Sequence, residues 1–181
     1  MASSFGHALA SYTIGKGITG RKMPLRFWLI GIGLSIFPDL DVLAFNLGIP
    51  YSHPFGHRGF THSILFALLI GILCGQLAFQ GSKWKFDRWW ISTYFVLAAL
   101  SHGLLDAMTT GGRGVGFFIP IDNSRFFLPF RPIQVAPLGV EAFFSSWGMA
   151  VLASEAIWIG IPCLVLLLFF FGFRRMRKGS D

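Results

Sequence analysis

Charge is scarce in this sequence, and negative charge scarcer still: 13% of its 181 residues are charged, and only 8 are Asp or Glu. A soluble protein of ordinary composition carries about 25% charged residues, so a water-facing globular surface is excluded. Cysteine is nearly absent too, and both thiols, Cys74 and Cys163, fall inside apolar runs. That argues against a disulfide scaffold or a thiolate metal site and leaves the pair as small apolar fillers. Before Arg21, no basic stretch leads into an apolar one and a small-residue cleavage site. Membrane insertion is therefore expected to be driven by helices that stay in the protein.

What the chain has instead is apolar length: 54% of its residues are hydrophobic, including 21 Phe and 6 Trp. Four stretches stand out, Phe27 to Leu47, Ser63 to Phe79, Trp89 to Met108 and Val151 to Phe173. At about 1.5 Å per residue, roughly 20 residues cross a hydrocarbon layer of about 30 Å, so all four are expected to span. The second is short and is expected to recruit Thr61 and His62. Phe5 to Ile18 is a weaker candidate, interrupted by Ser11, Thr13, Gly15, Lys16 and Gly17, and reads as a short membrane-inserted or spanning helix. The expected fold is thus an all-α polytopic membrane protein, with residues 1–181 forming one helical membrane domain of four clear transmembrane helices plus the N-terminal one.

Residues 109–149 are expected to lie at the outer face. Thr109 to Gly139 is rich in Gly and Pro and cannot be a regular helix. Its aromatic side chains, Phe117, Phe118, Phe126, Phe127 and Phe130, argue against a free solvated loop, so the segment should fold over the mouth of the bundle. Gly139 to Met149 reads as a short interfacial helix, with a break near Gly148 before the last span.

The formal net charge of +7 invites a nucleic-acid reading, but the positive residues are not spread over a surface. Ten of the fifteen lie in three clusters: Arg21, Lys22 and Arg26; Lys83, Lys85 and Arg88; and Arg174, Arg175, Arg177 and Lys178. Each abuts an apolar stretch. Alternating crossings would bring all three to one side, and loops with that bias are cytoplasmic. The C-terminus is therefore expected in the cytoplasm, with no direct nucleic-acid binding.

The remaining polar residues gather at the opposite ends of the same stretches. Asp39 and Asp41 lie near the end of the first, His57 and His62 flank the start of the second, and His102 and Asp106 lie near the end of the third. His102 and Asp106, four apart, stack on one helical face. Asp39 and Asp41 point to nearly opposite faces of an α-helix but to the same face of extended backbone, and Pro38 permits local unwinding. Imidazole and carboxylate side chains are ligands for borderline divalent metals. A helix descending from His7 toward the basic turn would add His7 to the set. The metal-ligand candidates are therefore His7, Asp39, Asp41, His57, His62, His102 and Asp106, for one or two divalent ions, zinc or manganese first. Asp39 and His62 could move protons, Arg58 and Arg125 could hold a phosphate through the planar guanidinium fork, and Glu141 could complete the site. Glu155, deep in the last stretch, reads as a helix-pairing acid.

Through Phe37-Pro38-Asp39-Leu40-Asp41, Gly56-His57-Arg58-Gly59-Phe60-Thr61-His62-Ser63 and Ser101-His102-Gly103-Leu104-Leu105-Asp106, the chain resembles a bacterial inner-membrane family of metal-dependent hydrolases. Some of its members are described as binding the repressor of the DNA-damage response. The resemblance implies that His7 and the six His and Asp residues above match the family's polar motifs, and that Arg125 and Glu141 match in the later half. The expected function is metal-dependent hydrolysis at the outer face of the inner membrane, on a phosphoester of a lipid or lipid-linked substrate. Two other readings stay open: a small ion or proton transporter or channel, and a membrane adaptor that recruits a soluble protein to its cytoplasmic basic tail.

Overall fold

The computed structural model describes residues 1–178 and is helical. Its helices are α1 (Ser4–Ile18), α2 (Leu25–Ile36), α3 (Ile64–Ala78), α4 (Arg88–Ala107), α5 (Val140–Phe143), α6 (Ser146–Glu155) and α7 (Ile161–Lys178). α2 runs directly into an 11-residue 3-10 segment, Phe37–Leu47. α6 and α7 are joined through a π turn, Ala156–Gly160. Pro162 explains the π turn, because its ring has no N–H to give and crowds the carbonyl one turn earlier.

Two helical stretches among the described residues are long and apolar enough to cross a membrane, Leu25–Leu47 with 23 residues and Ser146–Arg177 with 32. This overturns the expected bundle of four spans plus a short N-terminal one. α3 is apolar but only 15 residues long, about 22 Å at the helical rise, short of a hydrocarbon core. α1 has the same length and carries Lys16. α4 is long enough at 20 residues, but Arg88, Ser92, Thr93, Ser101, His102 and Asp106 dilute its apolar character. Its buried face, including Ile91, Tyr94, Phe95, Ala98, Ala99 and His102, packs against α1, α2 and α3. A helix surrounded by protein has less need of the uniform hydrophobicity that lipid requires.

The aromatic core lies around that central helix. Phe27, Phe79, Trp84, Ile91, Tyr94 and Phe95 are buried together, with Phe27 stacked on Tyr94 at 4.4 Å between centroids. Gly71 allows the close approach of α3, since a Cβ there would lie 2.5 Å from the Val96 backbone nitrogen of α4.

One end of the helices gathers positive charge. Arg21 pairs with Asp87 at 2.6 Å, Arg26 lies over the rings of Phe79 and Trp84, and Arg174 donates to the carbonyls of Lys16 and Gly17. The other end is covered by the Gly- and Pro-rich segment. Thr110 N–H donates to the Ile133 carbonyl, Ile133 N–H to that of Met108, and Leu128 N–H to that of Ala107, so the segment is stitched back onto the end of α4. The chain breaks at Ser145, whose side chain caps α6 by accepting from Trp147 N–H, rather than near Gly148.

Candidate metal centre

Four residues from three parts of the chain meet at the covered end. Asp39, His62, His102 and Asp106 each offer one ligand atom, and these atoms all lie within 4.8 Å of one another. The His62 and His102 Nε2 atoms are 2.9 Å apart. Asp39 Oδ1 is 3.4 Å from His102 Nε2, and Asp106 Oδ2 is 3.5 Å from His62 Nε2. His102 and Asp106 are fully buried, and Asp39 is 9% exposed.

The local structure explains why these atoms face inward. His102 Nδ1 lies 2.8 Å from the Ser35 carbonyl, an acceptor only, so Nδ1 carries the proton and the lone pair of neutral His102 sits on Nε2. In a 3-10 pattern the Ser35 carbonyl would bond residue 38, but that residue is Pro38 and has no N–H. The carbonyl is thus left for His102. His62 Nδ1 is 3.1 Å from Asp41 Oδ2, which likewise directs its Nε2 into the cluster. Two imidazole nitrogens therefore converge head to head, and a cation or a proton must lie between them. Burial opposes a charge on His62, yet the carboxylates of Asp106 and Asp41 beside it outweigh burial and raise its pKa to about 9. A metal ion bound there would compete with a proton for His62 Nε2.

Asp41 faces a different way from Asp39, because two positions along a 3-10 helix are about 120° apart rather than aligned. Its Oδ1 accepts from His57 Nδ1 at 2.5 Å, and its Oδ2 accepts from Arg58 N–H at 2.9 Å and Thr61 Oγ1 at 2.7 Å. Asp41 and His57 thus sit one layer out from the cluster, with both Asp41 oxygens committed. Asp39 contrasts sharply: neither of its buried oxygens has a hydrogen-bond partner, and neither does either nitrogen of His7. Buried polar atoms are almost always satisfied, so this concentration of bare donor atoms marks a site built for a ligand. His7, on α1, stacks on His102 at 3.9 Å and lies 3.5 Å from Asp106 Oδ1 and 3.9 Å from Asp39 Oδ2.

Arg58 is buried, 1% exposed, and its guanidinium has a contact at each nitrogen. Nε lies 3.0 Å from Asp106 Oδ2, Nη1 donates to the Gly111 carbonyl and Nη2 to Thr109 Oγ1. The residue sits in the left-handed region at φ 59°, a conformation costly for an L side chain, within a loop so tight that a Cβ on neighbouring Gly59 would lie 2.1 Å from the Pro54 carbonyl oxygen. Arg125 clamps the same loop from outside, donating to the carbonyls of His57, Tyr51 and His53. Glu141 lies exposed on α5 and is not brought to the cluster. Glu155 accepts from the backbone N–H and hydroxyl of Ser3, tying α6 to the segment whose Ala2 N–H donates to Asp106 Oδ1 at 2.8 Å. Ser35, Thr109 and Ser3 are contributors that the sequence motifs do not reveal, apart from the position of Pro38 after Ser35, whereas Thr61 lies within the second motif.

Outer partners of metal ligands commonly set affinity by about 10- to 100-fold. Asp41→Asn is accordingly expected to weaken zinc binding by that factor while leaving the four clustered residues in place, measured by competition with a chelator of known affinity. Unchanged affinity would remove Asp41 from any such role.

The chain is 39% identical over 170 residues, covering 92% of its length and 95% of the relative's, to Inner membrane protein YbcI of Escherichia coli (strain K12). No solved structure matches it. The family described as YdjM inner membrane protein matches residues 1–178. Neither description mentions hydrolysis or a repressor. The match runs through every residue of the cluster and both apolar spans, and by it the chain belongs to the YdjM inner membrane protein family.

Proposed function

We propose that this protein is a metal-dependent hydrolase of the inner membrane, with one divalent ion held by Asp39, His62, His102 and Asp106 and with His7 as a further imidazole at its edge. The observation that carries the reading is the convergence of two imidazole nitrogens, directed by Ser35 and Asp41, on two buried carboxylates, of which Asp39 has no hydrogen-bond partner on either oxygen. The donor set fits zinc first and manganese second, since both accept mixed nitrogen and oxygen ligation. Charge supports it as well: Asp39, Asp41 and Asp106 all border the imidazoles of the cluster, and the Arg58 guanidinium pairs with Asp106 alone, leaving negative charge that a divalent cation would offset.

A bound divalent ion supplies Lewis acidity that polarises the substrate and makes water acidic enough to attack near neutral pH. The protein's own groups do the rest. Asp41 and the Ser35 carbonyl hold the two rings in register, Arg58 and Ala2 N–H orient Asp106, and Asp39 Oδ2, which has no hydrogen bond and faces His7, would accept the proton released by the attacking water.

The substrate is a phosphoester of a lipid or lipid-linked molecule, met at the outer face. Supporting this, a cleft of about 420 Å³ is lined by Phe45, Tyr51, Leu138 and Trp147 together with His57 and Arg58, apolar walls with polar groups leading toward the cluster. The gathering of basic residues at the opposite end supports an outer-facing centre, because positive loops stay in the cytoplasm. The packed rings of Phe27, Phe79, Tyr94 and Phe95 between the two ends favour a closed site over a transport path.

The test is metal analysis of the purified protein together with hydrolysis of a lipid phosphoester, for wild type and His62→Ala. About one zinc or manganese per chain and turnover are expected in the wild type, with both lost in the variant. A wild type that binds no stoichiometric metal would sink the reading.

A further inference from the structure

A second feature lies at the far end of the molecule and is independent of the metal centre. α1 and α7 pack against each other and leave a cleft of about 600 Å³ between them. Its lower lining is apolar, from Tyr12, Leu167, Leu168, Phe170 and Phe171, and its upper lining is cationic, from Lys16, Arg174 and Arg175. No carboxylate lines it. Among the described residues, the acid at this end is Asp87, already paired with Arg21.

The order of these residues along α7 matters. Leu167 to Phe171 belong to the apolar span Ser146–Arg177, and Arg174 and Arg175 close it. The cleft therefore straddles the level at which a crossing helix leaves hydrocarbon for the headgroup layer. Arg174 is held in place by the carbonyls of Lys16 and Gly17 and by the ring of Phe170 beneath it. Lys16 rests over the faces of Tyr12 and Trp28, at 5.3 and 4.9 Å from the ring centroids. Neither has an acidic partner there, and exposed Arg175 makes no ion pair among the described residues. Apolar walls below and unneutralised cations above match one class of molecule.

We propose that this cleft binds one anionic diacyl phospholipid, an acyl chain lying along Leu167, Phe170 and Phe171 and the phosphate facing Lys16 and Arg175. Basic pockets between membrane helices on the cytoplasmic side recognise anionic headgroups in this way, each cation near the surface strengthening binding about fivefold. The apolar wall makes the lipid, rather than a free phosphate, the occupant.

The experiment uses the full chain purified in a neutral detergent, titrated with phosphatidylglycerol, phosphatidylcholine or inorganic phosphate, with bound lipid counted by native mass spectrometry. One phosphatidylglycerol per chain is expected, bound at least about tenfold more tightly than phosphatidylcholine and not displaced by millimolar phosphate. Lys16→Gln with Arg175→Gln should erase that preference. Where the double variant does not fold, Arg175→Gln alone decides, because its side chain is exposed, and about a fivefold loss is expected. Equal binding of the two lipids, displacement by phosphate, or a preference unchanged in the variant that folds would overturn the proposal. The metal content of the wild type has no bearing on any of these outcomes.

Discussion

Asp106→Asn is expected to remove stoichiometric metal from the purified protein and to weaken zinc affinity by more than about 100-fold, beyond the range reached by changes in outer partners. The substitution keeps the shape of the side chain and its ability to accept from Ala2 N–H. What it deletes is the charge that faces His62 and His102 at 3.5 and 4.0 Å. Without that charge, two imidazoles and one remaining carboxylate, Asp39, must hold the ion. Metal analysis after dialysis, followed by competition with a chelator, measures the effect. Full metal content in Asp106→Asn would mean that the convergence of these groups has another purpose.

The second large effect concerns Arg58. Arg58→Met is expected to destabilise the metal-free protein by about 3 to 5 kcal/mol, the usual cost of deleting one partner of a buried ion pair. Methionine fills similar volume, and the left-handed backbone at φ 59° strains both residues alike, so the measurement isolates the guanidinium. Its loss removes the cation 3.0 Å from Asp106 Oδ2 in a fully buried position and takes one of two donors from the Gly111 carbonyl. Thermal or denaturant unfolding in detergent with chelator present reads the change. A double variant, Arg58→Met with Asp106→Asn, should cost less than the two singles combined, because each alone leaves an uncompensated group and together they do not. Strict additivity would show that the pair is not coupled.

These expectations rest on features that differ in how plainly they can be read from the chain. The run from Phe27 to Leu47 was legible as a span and lies within Leu25–Leu47; that from Val151 to Phe173 lies within Ser146–Arg177. Ser63 to Phe79 and Trp89 to Met108 were read as spans too, but α3 is too short and α4 too polar to cross in the same way. Hydrophobicity along a run reports that a segment leaves water, but not whether lipid or protein receives it. α4 is received by protein on much of its surface, which lets it carry Ser92, His102 and Asp106 in buried positions.

The site divides in the same manner. Its residue types, and their concentration at one end of the apolar stretches, follow from the sequence alone: Asp39, His62, His102 and Asp106 are all in the motifs at Pro38, Gly59 and Gly103. Spacing could not separate Asp39 from Asp41, or His62 from His57. Only the 3-10 turn after Pro38 sends one carboxylate to the cluster and the other to the loop that carries His57, Arg58 and Thr61. Nor could spacing show that Arg58 and Arg125 would be consumed by backbone carbonyls and Asp106. The direction of a lone pair is set by what the other side of the ring touches, and for His102 that is a carbonyl 67 positions away. Composition determined that this chain leaves water and brings metal-binding groups with it; tertiary structure decided which atoms face one another, because only contacts between distant segments orient them.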